Sequence, residues 1–167
     1  NLGGLLPEKT NEATVAELSD GRLYLNMRSY HDINRRAVAF SDDRGETWSS
    51  TFLDTELIEP VCQASTLTYE HAGTRYLVFS NPASTRRERM TLRVSSDDGL
   101  SWESGRVLHE EFAAYSDLCP LPCGRVGCLY ESGDGEERYQ RITFASIPFN
   151  WLLGKPAKAH TNSENSQ

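Results

Sequence analysis

Ser41-Asp42-Asp43-Arg44-Gly45-Glu46-Thr47-Trp48 and Ser95-Ser96-Asp97-Asp98-Gly99-Leu100-Ser101-Trp102 share one pattern, S-x-D-x-G-x-[TS]-W, with the two copies 54 positions apart. Each position has a physical task. The Asp carboxylate can organise the amides of a tight turn, while Gly supplies a positive φ. The Trp can fold back and pack the turn onto its own sheet. A period of this length accommodates a four-stranded β-propeller blade with its loops.

The sequence around the two copies alternates apolar and polar residues instead of repeating every three or four. Thr14–Leu18 and Arg22–Arg28 flank Ser19-Asp20-Gly21, the pattern of a β-hairpin with an Asp/Gly turn. Further short runs occupy Arg36–Ser41, Ser65–Tyr69, Tyr76–Ser80, Met90–Ser95, Val126–Glu131 and Tyr139–Ala145. One stretch, Val107–Ala114, reads as a weak helix. The expected class is all-β, about three four-stranded blades.

With 167 residues, the chain is long enough to bury a core. Its composition, 38% apolar and 25% charged, excludes disorder, and no run approaches the length of a transmembrane helix. A net charge of −7 makes it a poor non-specific partner for nucleic acid or an anionic membrane. Cys62, Cys119, Cys123 and Cys128 are too few for a disulfide scaffold and lack zinc spacing. Cys119 and Cys123 either close a small loop in an oxidising compartment or remain free thiols. No metal or other cofactor is expected, and the four histidines receive no role. The start, Asn-Leu-Gly-Gly, shows no signal peptide and reads as the edge of a longer protein. The compartment stays open, with a secreted, periplasmic or lysosomal parent compatible. Residues 154–167, rich in Lys, Asn and Ser, are expected to be a disordered tail.

The repeated octapeptide resembles the Asp box (BNR repeat) of the sialidase, or neuraminidase, family, whose fold is a six-bladed β-propeller. Asp boxes of that family lie at the blade periphery and also occur in non-catalytic propellers, so they speak for fold and leave chemistry open. The resemblance implies that residues 1–153 are the C-terminal half of a sialidase propeller.

Other segments carry the chemistry that the resemblance implies. Asn11-Glu12 through Glu17-Leu18-Ser19-Asp20-Gly21 to Asn26-Met27-Arg28 resembles the family's segment bearing the catalytic Glu and a carboxylate-gripping Arg, here Glu12 and Arg28. Asn81-Pro82-Ala83 followed by Arg87 and Met90-Thr91-Leu92-Arg93 resembles the segment of another triad arginine, matched to Arg87 with Arg86 as the neighbouring alternative. Guanidinium suits the task because its planar fork meets a carboxylate with two hydrogen bonds. Tyr115-Ser116-Asp117-Leu118 resembles the segment of the nucleophilic Tyr, and Gly127-Cys128-Leu129-Tyr130-Glu131 that of a supporting Glu, here Glu131. Gln63 is a candidate substrate contact, with a turn-stabilising amide as the alternative.

The resemblance implies an exo-α-sialidase, a glycoside hydrolase releasing terminal α-linked sialic acids with retention. A phenol with an ordinary pKa near 10 needs a base before it can attack, and Glu12 would supply one. The family's Arg-Ile-Pro segment and the acid/base Asp have no counterpart here, so the chain alone is expected to be inactive. Its expected partners are sialylated glycoconjugates and the N-terminal half of the same propeller. A glycan- or protein-binding Asp-box propeller and a trans-sialidase are the alternatives.

Overall fold

The computed structural model describes residues 3–154 apart from Pro7 and Ser104, and the tail expectation lies outside them for residues 155–167. The first four strands, β1 (Thr10–Glu17), β2 (Leu23–Ser29), β3 (Arg35–Ser41) and β4 (Phe52–Ile58), form an antiparallel meander in the order β1-β2-β3-β4. Next come β5 (Ser65–His71), β6 (Thr74–Pro82), β7 (Glu88–Ser95), β8 (Arg106–Leu121), β9 (Arg125–Ser132) and β10 (Arg141–Pro148), hydrogen-bonded in the order β10-β9-β8-β7-β6-β5. A single helical turn, α1 (Phe149–Leu152), closes the described chain.

The six-stranded sheet is two blades sharing one long strand. The first part of β8 pairs with β7, from Leu92↔Arg106 to Glu88↔Phe112. Its second part pairs with β9, from Ala113↔Ser132 to Leu121↔Arg125, after a register shift between Ala113 and Ser116. The outer strand of one blade therefore becomes the inner strand of the next. Among the described residues the architecture is two four-stranded blades and a third with three strands.

This arrangement corrects the helix expected at Val107–Ala114. That segment lies within β8, because its backbone groups are taken by β7 and then β9. Its helix-forming glutamates, Glu110 and Glu111, are exposed and fall at the register shift between the pairs Met90↔His109 and Glu88↔Phe112, so the ladder on either side holds the segment extended. Strand β4 and the turn α1 were not signalled by alternation.

The blades stack through side chains of alternating strand positions. Ala16, Leu18, Tyr24, Val38, Leu57, Ala64, Leu77, Phe79 and Trp102 fill the space between the first two blades. A larger cluster, including Val78, Leu92, Val126, Tyr130 and Phe149, joins the second blade to the third.

Both octapeptides form the turn leaving the third strand of a blade, and their bonds repeat. Ser41 Oγ donates to Asp43 Oδ1 at 2.8 Å and accepts from Gly45 N at 2.8 Å, while Thr47 N and Oγ1 donate to the Asp43 carboxylate at 2.9 and 2.5 Å. Ser95, Asp97, Gly99 and Ser101 repeat this set at 2.7, 2.9, 3.0 and 2.6 Å. The Thr47 hydroxyl and amide, with Ser41, hold the Asp43 carboxyl down to about 2. Trp102 is buried against Tyr24 and Phe79 and donates from Nε1 to Asp54 Oδ2 at 3.2 Å. Trp48 is only half-buried; it packs beside Leu25, Met27, Ala37 and Ala39, with no preceding blade among the described residues to cover it.

Candidate active site

The site begins with an irregularity in β1. Asn11 faces Arg28 and Ala13 faces Met27 across the β1–β2 ladder, so Glu12 is the extra residue of a bulge, with a φ of +24°. The bulge turns Glu12 onto the Arg28 side chain: Arg28 Nη1 donates to Glu12 Oε2 at 2.6 Å. Glu17 is exposed at the far end of β1, with its carboxylate 3.8 Å from Arg75.

Tyr115 sits at the register shift of β8, which frees it from the ladder. Its backbone amide donates to Glu131 Oε2 at 3.0 Å, and Glu131 lies on the neighbouring strand β9. Its hydroxyl donates to Glu12 Oε1, across 103 positions of sequence, and accepts from Arg28 Nη1 at 3.3 Å. Three side chains from two blades thus form a closed triangle.

Arg87 stands before β7, where its carbonyl accepts the Ala113 amide at 3.1 Å. Its guanidinium carbon lies 5.7 Å from the Tyr115 ring centroid, and Nη1 donates to the Tyr139 hydroxyl at 2.5 Å. Arg86 is exposed and paired with Glu88 at 2.9 Å. Gln63 spends its amide on backbone: Oε1 accepts Ser116 N at 3.0 Å, and Nε2 donates to Ser116 O at 2.9 Å and Ala64 O at 3.0 Å. The structure therefore brings Glu12, Arg28, Arg87, Tyr115, Glu131 and Gln63 to one end of the sheets.

Electrostatics set the resting protonation. Burial would raise the Glu12 carboxyl, but hydrogen bonds from Tyr115 and Arg28, with the charges of Arg28 and Arg87, hold it below its ordinary value. The Tyr115 hydroxyl is raised, first by its hydrogen bond to Glu12 and then by desolvation. At neutral pH the pair is a neutral phenol facing an ionised carboxylate. Burial pushes the Cys62 thiol, at the back of the site against Phe112 and Tyr115, up to about 11, so it stays protonated. No group of three or more His, Cys, Asp or Glu among the described residues could hold a metal ion. All four cysteines are free; Cys62 and Cys128 are buried, Cys119 and Cys123 exposed.

One hollow opens beside Tyr115 and another beside Arg87. The first, about 290 Å³, runs from Gln63 and Tyr115 over Leu129 and Glu131 to Ile142. The other, about 820 Å³, is lined by Arg87, Phe112, Arg138 and several glutamates. Sequence reasoning missed Tyr139, which packs edge-on against Phe112 with ring centroids 4.7 Å apart, and Tyr30, whose ring lies 4.9 Å from the Arg28 guanidinium carbon. Alternation puts Tyr139 at the start of a strand, but β10 begins only at Arg141 and leaves Tyr139 in the preceding loop, while Tyr30 lies in a loop of ordinary turn composition. Among the described residues, no helix is long and apolar enough to cross a membrane.

Comparison with known proteins bears on the family and the fold. The family described as BNR repeat-like domain matches residues 6–128. The sialidase of Micromonospora viridifaciens is 36% identical over 151 residues, covering 86% of this chain and 22% of that protein. Among solved structures, the Hadza microbial sialidase Hz136 superposes with a TM-score of 0.76 at 36% identity, covering 86% of this chain and 28% of the other. A leech intramolecular trans-sialidase complexed with 2,7-anhydro-Neu5Ac gives a TM-score of 0.72 at 25% identity, covering 86% and 24%. The chain therefore spans about a quarter of the length of such relatives.

Proposed function

Because the chain belongs to the BNR repeat-like domain family, we propose that it supplies the nucleophile side of an exo-α-sialidase active site. The substrate is a terminal α-linked sialic acid on a glycoconjugate, and the reaction retains configuration. Arg28 and Arg87 grip the sugar carboxylate. Tyr115 Oη attacks the anomeric carbon as its proton passes to Glu12, and the bond to the leaving oxygen breaks. That oxygen takes its proton from a general acid which this chain does not provide. Water then attacks the tyrosyl-bound sugar, giving its proton back to that same group, now in its basic form, while Glu12 returns the proton to Tyr115 and the sugar leaves. Glu131, already bound to the Tyr115 amide, holds the arginine that completes the triad. Residues 1–153 are the C-terminal half of the propeller, and its remaining blades complete the site.

The observation that supports this reading best is the Tyr115–Glu12 hydrogen bond, closed by Arg28. A neutral phenol suits a sugar that carries its own carboxylate at the anomeric carbon, where an anionic nucleophile would be repelled. Activation by an adjacent base is the general device for such nucleophiles. Turnover of a fluorogenic sialoside by the complete protein and by its Tyr115→Phe variant tests it, and equal rates would refute it. Likeness to the leech enzyme favours one second reading, intramolecular transfer, in which the same residues form the intermediate and a hydroxyl of the bound sugar replaces water. Identification of the released product separates the two.

A further inference from the structure

We propose that the buried Arg36–Glu59 ion pair is a positioning device for the site, setting Arg28 through Ser29 and Tyr115 through Gln63. The proposal rests on the reading of Tyr115 as nucleophile. Both side chains are at most 1% exposed, with Arg36 Nη1 donating to Glu59 Oε2 at 2.5 Å. A pair so deeply desolvated brings little stability of its own, and apolar residues of similar volume commonly replace such pairs without loss. Arg36 Nη2 is also buried with no hydrogen-bond partner among the described residues. Stability therefore explains the pair poorly, and its contacts explain it better.

Those contacts lead to both halves of the site. Glu59 Oε1 accepts the amide of Ser29 at 2.8 Å, which fixes the residue directly after Arg28 at the end of β2. Arg36 Nε donates to Asn26 Oδ1 at 2.6 Å, gripping the same strand two residues before Arg28. In the other direction, Arg36 Nη1 donates to the Cys62 carbonyl at 2.7 Å. Gln63 follows, and its amide clasps both backbone groups of Ser116, next to Tyr115.

The segment between Glu59 and Gln63 is held under strain. Val61 has a φ of +54°, in the left-handed region that a β-branched residue rarely enters. Such a conformation persists where its surroundings over-determine it, and here Glu59 and Cys62 are anchored on either side to one guanidinium. The strained crossing from the first blade to the second thus delivers Gln63 to Ser116. One buried pair sets the spacing between Glu12–Arg28 on one blade and Tyr115 on another.

The test measures kcat, KM and melting temperature for the complete protein and its variants on a fluorogenic sialoside. Arg36→Met/Glu59→Leu replaces the pair with apolar bulk but leaves the buried Ser29 amide, Asn26 Oδ1 and Cys62 carbonyl without these partners. It is therefore expected to melt below the parent while kcat, read well below that melting temperature, falls roughly 10²-fold, the cost of a misplacement of about 1 Å. Parental kcat in that stably folded variant would overturn the proposal. Should the double variant fail to fold, Gln63→Ala carries the test, with an expected loss of roughly tenfold or more in kcat. A rise in KM with kcat intact would make Gln63 a substrate contact and overturn its positioning role. The Tyr115→Phe variant in the same assay judges the nucleophile reading separately. If it matches the parent, a crystal structure of the double variant (or of Gln63→Ala) decides the brace: an opened Tyr115–Glu12 contact supports it, an unchanged one overturns it.

Discussion

Alanine at the two octapeptide glycines measures what the repeat contributes to blade packing. Gly45 and Gly99 have nearly the same conformation, with φ of +87° and +83°. A side chain there costs about 1–2 kcal/mol from the left-handed backbone alone. The two sites differ in what a Cβ would meet. At Gly45 the nearest atoms are Trp48 Cζ2 at 3.5 Å and Leu23 Cδ1 at 3.6 Å, ordinary contacts. At Gly99 they are Tyr24 Cε2 at 2.8 Å, Tyr24 Cδ2 at 3.2 Å and Leu77 Cδ1 at 3.3 Å. Tyr24 cannot swing aside, because it is fully buried and its hydroxyl accepts the Asn26 side chain at 3.0 Å. Overpacking of this kind adds about 1–3 kcal/mol. Gly45→Ala should therefore lose about 1–2 kcal/mol and Gly99→Ala about 2–5 kcal/mol. Urea unfolding at constant m reads both values. Equal losses, or a greater loss at Gly45, would refute the account of the second octapeptide as a wedge between blades.

Glu12→Gln should lower kcat by roughly 10²–10⁴ in the complete protein, since it removes the base, and a loss below tenfold in steady-state assays would contradict that role. Tyr139→Phe removes the hydroxyl on Arg87; a hydrogen bond to a charged group is worth about 1.5–3 kcal/mol, which solvent exposure discounts to roughly tenfold in KM, so an unchanged KM would argue against its holding the carboxylate grip. The carboxyls of Asp43, Asp97 and Glu12 all lie below their ordinary values in the folded protein. Their contribution is present above the unfolded-state pKa values and is lost as pH falls through the folded ones. The urea midpoint should accordingly drop between about pH 4 and pH 2, and Asp43→Asn should flatten that drop. The 167-residue chain alone should show no turnover of a fluorogenic sialoside, and parental turnover would show that the remaining blades supply nothing essential.

Much of the fold was legible because it is written locally. Alternation and Asp/Gly turns marked most strands, and the two octapeptides marked successive blades. The misread segment, Val107–Ala114, shows the limit: its strand state comes from two partners, β7 and β9, that lie elsewhere in the sequence. The site residues Glu12, Arg28, Arg87, Tyr115 and Glu131 were named by their resemblance to a family pattern, whereas spacing alone could not have joined Glu12 to Tyr115. The bulge that aims Glu12 and the register shift that frees Tyr115 are properties of strand pairing. Arg36 and Glu59 were invisible for the same reason. In a sequence such as Asn34-Arg35-Arg36-Ala37, two arginines look alike, and only packing buries one of them.

The most direct measurement is where the sugar becomes attached. A fluorinated sialosyl fluoride that forms the glycosyl-enzyme faster than water releases it should label the complete protein once. Trypsin then separates the candidates: residues 107–125 contain Tyr115 as their only tyrosine, and residues 10–22 contain Glu12. Peptide mass spectrometry is expected to find the adduct in 107–125, on Tyr115, and to find none in the Tyr115→Phe variant. An adduct in 10–22, or turnover with no labelling of 107–125, would contradict Tyr115 as the nucleophile.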